Sequence, residues 1–249
     1  TFAIVGAGKV GSALARLLRR TGYEFLGATS RSIESARAAC EFAGAGTPTA
    51  EPGGLLSEAD LVLVTTPDGA IEDTCAYLAD TCGFRAGSVV AHCSGAHPSS
   101  LLHAAADQDA HVGSMHPLQS FATAKQAVDI LPGSFCCIEG DDKAVELLTD
   151  AAERIGARIM TVSTRGKVLY HAAAVMACNY LVGLEHAALK LDAEAGLDRE
   201  LALESLLPLI KGTVENLEEV GIPDCLTGPI ARGTSRLRAA TWRPSRSKS

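Results

Sequence analysis

Three glycines near the start of the chain, in Gly6-Ala7-Gly8-Lys9-Val10-Gly11, have the spacing of a turn that binds phosphate. Gly6 lets a strand turn sharply, Gly8 lets bare backbone approach a diphosphate, and Gly11 lets the next helix pack close to the strand. The unpaired N–H groups and positive dipole end of that helix would face two phosphates. Phe2-Ala3-Ile4-Val5 reads as a buried strand and Leu14, Leu17 and Leu18 recur at helical spacing, so the motif has the strand–turn–helix setting that it needs. A dinucleotide is the expected ligand.

Further along, three polar residues interrupt an apolar helical stretch. Lys167 and His171 stand four residues apart and share a helix face. Asn179, eight residues past His171, is rotated by about 80° from it and can border the same cleft. A cation, an imidazole and an amide so arranged can polarise a carbonyl or imine and pass a proton while a nicotinamide exchanges hydride. Solvated residues at a helix start, with one buried asparagine setting packing register, would give the same pattern.

Other candidates lie at the ends of predicted strands. Thr65-Thr66-Pro67 follows a continuous apolar strand and should lie over a cofactor ribose. Ser94 precedes a flexible Gly95, and its hydroxyl with neighbouring N–H groups can hold a substrate carboxylate or carbonyl beside the nicotinamide; a helix-capping turn is the alternative. His116, fixed by Pro117 at a strand end, is a better candidate than His103 or His186, which sit in helical stretches. About 20 residues past the glycines, where a free ribose would meet a carboxylate, stand Thr29, Ser30 and Arg31, which suit a 2′-phosphate and favour NADP over NAD. His92, Cys93 and His97 lack a further ligand pair at recognisable spacing, so no metal site is expected. Arg232, in Leu226-Thr227-Gly228-Pro229-Ile230-Ala231-Arg232-Gly233, can clamp an anionic substrate; the glycines and proline there argue against a plain helix.

These residues need a scaffold. Strands expected at residues 2–5, 23–28, near 47, and at 59–65, 88–92, 111–115, 134–139 and 157–162 alternate with helices, as in an α/β, Rossmann-type, doubly wound and mostly parallel sheet. From Thr164 the pattern is all α: one long helix to about Glu194, then a second, capped by Asp198, interrupted by Pro208 and stopped near Gly221. The expected organisation is a nucleotide-binding domain at 1–162, a helical substrate and dimerisation domain at 163–233, and a basic, solvated tail at 234–249. Residues 172–182 are apolar nearly all round, which calls for cover by a second subunit, hence a homodimer through the C-terminal helices.

The 249 residues carry a net charge of −7, which disfavours nucleic acid as a partner. The eight cysteines form no Cys-x-x-Cys and no disulfide-like framework, pointing to the cytoplasm. A strand starting at residue 2 leaves no room for a signal peptide, and the nearly apolar run 172–184 is short for a membrane span, so no membrane is expected.

The chain resembles a family of candidate oxidoreductases whose Rossmann-like N-terminal domain is joined to a C-terminal helical domain of unknown function. The resemblance is carried by Val5-Gly6-Ala7-Gly8-Lys9-Val10-Gly11, Ser94-Gly95-Ala96-His97-Pro98, the stretch from Gly113 to Phe121, Tyr170-His171-Ala172-Ala173-Ala174-Val175 with Asn179, and the stretch from Leu226 to Gly233. That family is similar to pyrroline-5-carboxylate reductase, the β-hydroxyacid dehydrogenases and 6-phosphogluconate dehydrogenase. The resemblance implies an NADP-type Rossmann domain, a 6-phosphogluconate dehydrogenase-like helical dimerisation domain, and an active site between them. Ser94-Gly95 and Lys167 fit the β-hydroxyacid dehydrogenase pattern, in which a Ser-Gly turn grips substrate and a lysine and an asparagine four residues later move the proton. His171 stands where that asparagine would be. Such proteins also continue from Arg232-Gly233 into an acidic residue and further helix, whereas this sequence turns basic, as a truncated or frameshifted gene would.

The expected activity is NADP-dependent hydride transfer to or from a small carbonyl, imine or hydroxy acid. Lys167 or His171 would be the proton donor, Ser94 and Asn179 would orient substrate, and His116 and Arg232 would line the pocket. A non-catalytic nucleotide sensor is the competing reading, and an F420-type hydride carrier a third.

Overall fold

The computed structural model of the chain describes residues 1–231. Eight strands form one sheet: β1 (Phe2–Val5), β2 (Phe25–Thr29), β3 (Thr47–Thr49), β4 (Leu61–Val64), β5 (Val89–His92), β6 (His111–Leu118), β7 (Phe135–Gly140) and β8 (Arg158–Thr161). Helices α1 (Lys9–Arg20), α2 (Ile33–Ala43), α3 (Gly53–Glu58), α4 (Ile71–Thr81), α5 (His103–Ala106), α6 (Ala124–Ile130) and α7 (Asp142–Arg154) lie between the strands. After β8 the chain is helical: α8 (Lys167–Glu194), α9 (Arg199–Val220) and a short α10 (Gly228–Ala231). The expected Rossmann-type order is present.

Strand order is β3-β2-β1-β4-β5-β6-β7-β8, with every neighbouring pair parallel except β6 and β7. The parallel strands are apolar on both faces because helices cover both. Phe2, Ile4, Leu61 and Leu63 point into a core with Leu14, Leu18 and Leu148, while the alternate residues Ala3, Val5, Val62 and Val64 point into a second core with Ile71, Leu78 and Leu102. From β1 the chain runs outward to β2 and β3, then returns to place β4 on the other side of β1. The switch point, where ligands bind in open α/β sheets, is thus the crevice beyond the carboxyl ends of β1 and β4.

Three features differ from the sequence reading. β6 continues through His116 and Pro117 to Leu118 instead of ending at Met115; past Ser114 it has lost β5 as a neighbour, and a proline is tolerated along that open edge. α9 runs through Pro208 without interruption, the flanking turns carrying the helix across one missing hydrogen bond. Gly228 and Pro229 begin a helical turn instead of excluding one, since proline suits a first helical position.

Two compact units divide within α8, one from Thr1 to Tyr180 and one from Leu181 onward. The apolar run 172–184 belongs to a helical segment, Thr164–Glu194, that is long and apolar enough to cross a membrane by length and composition, and it is the one such segment among the described residues. Its most apolar window is not buried within the chain. Arg232 and the basic stretch 234–249 lie outside the described residues.

Candidate active site

The glycine turn forms the first half of the site. Gly6 has φ +100°, and a Cβ there would sit 2.8 Å from the Thr65 carbonyl carbon and the Thr66 nitrogen, so neither the turn nor the contact admits a side chain. Thr65 Oγ1 donates to the Gly6 carbonyl at 2.5 Å and its N–H to Val5 at 2.7 Å, tying β4 to the turn after β1. Thr65 is therefore a strut of the turn. Thr66 Oγ1 is buried without a partner among the described residues.

Gly8 is the N-cap of α1, no side chain caps the helix, and the first helical bond runs from Ser12 N–H to the Gly8 carbonyl at 2.9 Å. The N–H groups of Lys9, Val10 and Gly11 are left ahead of that bond. A Cβ at Gly8 would meet nothing within 4 Å, so the backbone is open there. Bare amides on an uncapped helix fit the diphosphate of a dinucleotide. At the end of β2, Ser32 caps α2 by accepting from Ser35 N–H at 3.3 Å, leaving half-buried Ser30 and exposed Arg31 clear of the cap.

The second half is built on the loop after β5. His92 is fully buried; its Nδ1 accepts from Ser94 N–H at 3.1 Å and its Nε2–H donates to the Pro98 carbonyl at 3.1 Å. Burial pushes its pKa down to about 4, so the ring stays neutral and can both accept and donate. Ser94 Oγ accepts from the N–H groups of Ala96 and His97, each at 3.2 Å. Ser94 thus shapes the turn, as a capping serine does, and retains one hydroxyl hydrogen to give.

Gly95, at the crest of this loop, faces two imidazoles. A Cβ placed on it would lie 2.6 Å from His171 Nδ1 and 2.7 Å from His116 Nε2. The two rings stand at 76° with centroids 6.0 Å apart. His171 Nδ1 is buried and has no hydrogen-bond partner among the described residues. The other nitrogen of His116, Nδ1, lies 2.9 Å from the Tyr170 hydroxyl. Burial, with His171 and Lys167 nearby, pushes the His116 pKa down to about 4.

Lys167 takes a different position from its helix neighbour. Its side chain is fully buried, with Nζ donating to Ser114 Oγ and, at 3.1 Å, to Glu139 Oε1. Glu139 also accepts from Ser99 N–H at 2.7 Å, Ser99 Oγ at 2.9 Å and Thr164 Oγ1 at 3.4 Å. The carboxylate thereby joins β7, the turn at Ser99 and the approach to α8. Burial lowers the Lys167 pKa, with Glu139 opposing the shift.

The structure therefore brings His116, His171 and the Ser94-Gly95 turn together, and places Lys167 behind them in an ion pair. Asn179 is exposed further along α8. Sequence reasoning missed Glu139, Tyr170 and the loop-holding part of His92. A lone acid ending the apolar strand Phe135-Cys136-Cys137-Ile138 was the available sign of a buried carboxylate. Among the described residues no group of three or more His, Cys, Asp or Glu could hold a metal ion.

A doubly wound sheet with an uncapped, glycine-lined helix start at its switch point defines a Rossmann-like fold. Residues 1–117 match the Rossmann-like domain family and residues 134–238 match a domain of unknown function, DUF2520. The chain thus carries a Rossmann-like domain followed by a DUF2520 C-terminal domain. Among solved structures it is similar to protein TM1727 from Thermotoga maritima, at 26% identity over 97% of this chain and 88% of that one, with a TM-score of 0.74. Protein BF3122 from Bacteroides fragilis, described as a candidate NADP oxidoreductase, matches at 24% identity over 96% and 88%, TM-score 0.76. The 1-pyrroline-5-carboxylate reductase of Streptococcus pyogenes shares the fold at 19% identity over 96% and 90%, TM-score 0.69. No curated protein sequence matches the chain.

Proposed function

We propose that this protein is an NADP-dependent oxidoreductase that moves hydride to or from a small carbonyl, imine or hydroxy acid. The carrying observation is that two imidazole nitrogens converge on Gly95 at the carboxyl edge of the sheet that, at β1, presents the uncapped glycine turn. The fold shared with a candidate NADP oxidoreductase and with pyrroline-5-carboxylate reductases supports this reading.

Ala7, Gly8, Lys9, Val10 and Gly11 would hold the diphosphate through backbone amides, while Gly6, whose N–H is given to the Thr29 carbonyl at 2.8 Å, shapes the turn, and Thr66 and Pro67 would border the ribose. The bound nicotinamide supplies or takes the hydride. His171 carries the proton, His116 contacts the reacting group, and Ser94 orients substrate with its remaining hydroxyl hydrogen. Lys167 acts from behind by fixing the start of α8. The setting is the cytoplasm, where eight free thiols stay reduced.

Titration calorimetry of the full chain with NADPH and NADH, followed by nucleotide absorbance with a panel of ketones, keto acids and cyclic imines, tests this. We expect turnover that His171→Ala reduces by about 10²-fold or more with NADPH still bound. Binding without turnover across the panel would identify a nucleotide sensor, and no heat from either nucleotide would remove both readings. The cofactor choice has its own test: Arg31→Ala should weaken NADPH by about 10- to 100-fold, the worth of a charge-assisted hydrogen bond, and leave NADH nearly unchanged. An NADPH preference surviving that substitution would take the 2′-phosphate away from Arg31.

A further inference from the structure

His116 lies against Gly95 with one ring nitrogen and meets Tyr170 with the other, so Tyr170 decides whether the nitrogen at Gly95 carries a hydrogen. The two rings are nearly perpendicular, at 84°, with centroids 5.7 Å apart, and the hydroxyl meets Nδ1 at hydrogen-bond distance. Beside the same hydroxyl stands the Cys137 thiol, which burial keeps protonated, as burial keeps the Tyr170 phenol protonated. A thiol is a weak acceptor and an imidazole nitrogen a good one, so the phenol O–H is given to Nδ1. A neutral imidazole that accepts at Nδ1 carries its hydrogen on Nε2.

We propose that Tyr170 is a positioning residue that fixes His116 as a neutral Nε2–H donor, so that the site selects a substrate whose reacting atom accepts a hydrogen bond. That atom is a carbonyl oxygen in reduction and the corresponding hydroxyl oxygen in oxidation. A protonated imine would set its own N–H against this donor and is disfavoured. The inference rests on the oxidoreductase reading and narrows its substrate class. In reduction, the carbonyl carbon gains the hydride and forms a C–H bond. The C=O π pair moves to oxygen, and the resulting alkoxide takes one proton; the carbonyl is reduced by the two electrons that the nucleotide loses. His116 keeps its hydrogen, since releasing it would leave an imidazolate, and stabilises the developing charge by hydrogen bonding. The proton comes from His171 as an imidazolium, whose Nδ1 lies against Gly95 without a partner among the described residues and whose ring is left neutral by the transfer.

The groups around His116 favour the neutral ring. Lys167 and His171 from α8 and His92 from β5 oppose a positive charge, burial opposes it most, and Asp68, beyond β4, is the acid that favours it. Neither neighbour on the Tyr170 side, the phenol or the Cys137 thiol, is charged near neutral pH.

Long-range ¹H–¹⁵N correlation of the His116 ring in the full ¹⁵N-labelled chain reads the tautomer without substrate, whether or not nucleotide binds. We expect hydrogen on Nε2 and no titration between pH 5.5 and 8. In Tyr170→Phe we expect a mixture of tautomers or a shift of hydrogen to Nδ1. Hydrogen on Nδ1 in the wild type, or a Tyr170→Phe ring identical to wild type, would overturn the proposal. In turnover, a ketone preferred over a matched cyclic imine, with the preference falling by about tenfold in Tyr170→Phe at unchanged NADPH affinity, supports it. An imine preferred over its ketone would overturn the substrate selection while leaving the oxidoreductase reading intact. Failure to bind nucleotide would remove the oxidoreductase reading and, with it, the substrate selection, whereas the tautomer stands or falls on the ring spectra.

Discussion

His92 commits both ring nitrogens to the loop that carries Ser94 and Gly95, and His116 commits one to Tyr170 and lays the other against Gly95. Both rings are folded in neutral form, with pKa values near 4 against an ordinary 6.5. Between those values the unfolded chain binds protons that the folded chain refuses. Stability is therefore complete above about pH 6.5 and is lost as pH falls toward 4, by up to about 3 kcal/mol per ring. Urea midpoints at pH 7, 6 and 5 should fall accordingly, and His92→Gln should remove roughly half of the pH slope. A slope unchanged by that substitution would mean that His92 is not the titrating group. The chemistry of these residues was legible before the structure in part only. The sequence places His116 and Ser94 at strand ends and His171 on a helix face, but a tautomer depends on partners such as Tyr170 Oη and the Pro98 carbonyl, which spacing alone does not disclose.

At the scale of elements, the helix that brings Tyr170 and His171 to the loop is fixed at its first residue by Lys167, through Glu139 on β7 and Ser114 on β6. Helical spacing shows that Lys167 and His171 share a face, and that much the sequence establishes. It does not show which of them reaches a carboxylate, because Glu139 lies 28 residues away on a strand whose partner was unknown. Strand existence and order were readable from apolar runs and turn residues. The extension of β6 through Pro117 and the continuity of α9 through Pro208 were not, since both depend on what surrounds the missing N–H. An ion pair buried this deeply is costly to break from one side. Lys167→Met or Glu139→Gln alone should lower unfolding free energy by about 3–5 kcal/mol, because the remaining charge or polar group is left without its partner. The double variant Lys167→Met with Glu139→Gln should cost clearly less than the sum of the two, as measured by urea unfolding in a double-mutant cycle. Additive losses would show that the two side chains are not coupled.

At the scale of the whole molecule, the long helices call for cover. Met176, Val182, Leu184 and Leu191 on α8 and Leu209 on α9 are each more than 60% exposed in the single chain. A soluble monomer rarely leaves so many large apolar side chains open to water. A second copy of the same chain is the occupant we propose. The surface is helical and apolar, as an isologous interface between identical subunits requires, and acidic residues such as Glu185 and Asp192 interrupt α8 in a way that suits a protein partner better than lipid. Light scattering behind size exclusion at micromolar concentration should give twice the mass of one chain. Replacing Val182 and Leu184 by lysine and glutamate should shift the species toward monomer and lower the unfolding temperature, since an obligate dimer loses folded stability with its partner. A monomer that floats with lipid vesicles would assign the apolar helix to a membrane surface instead, and a monomer that stays in solution with its helices intact would leave the dimer without support.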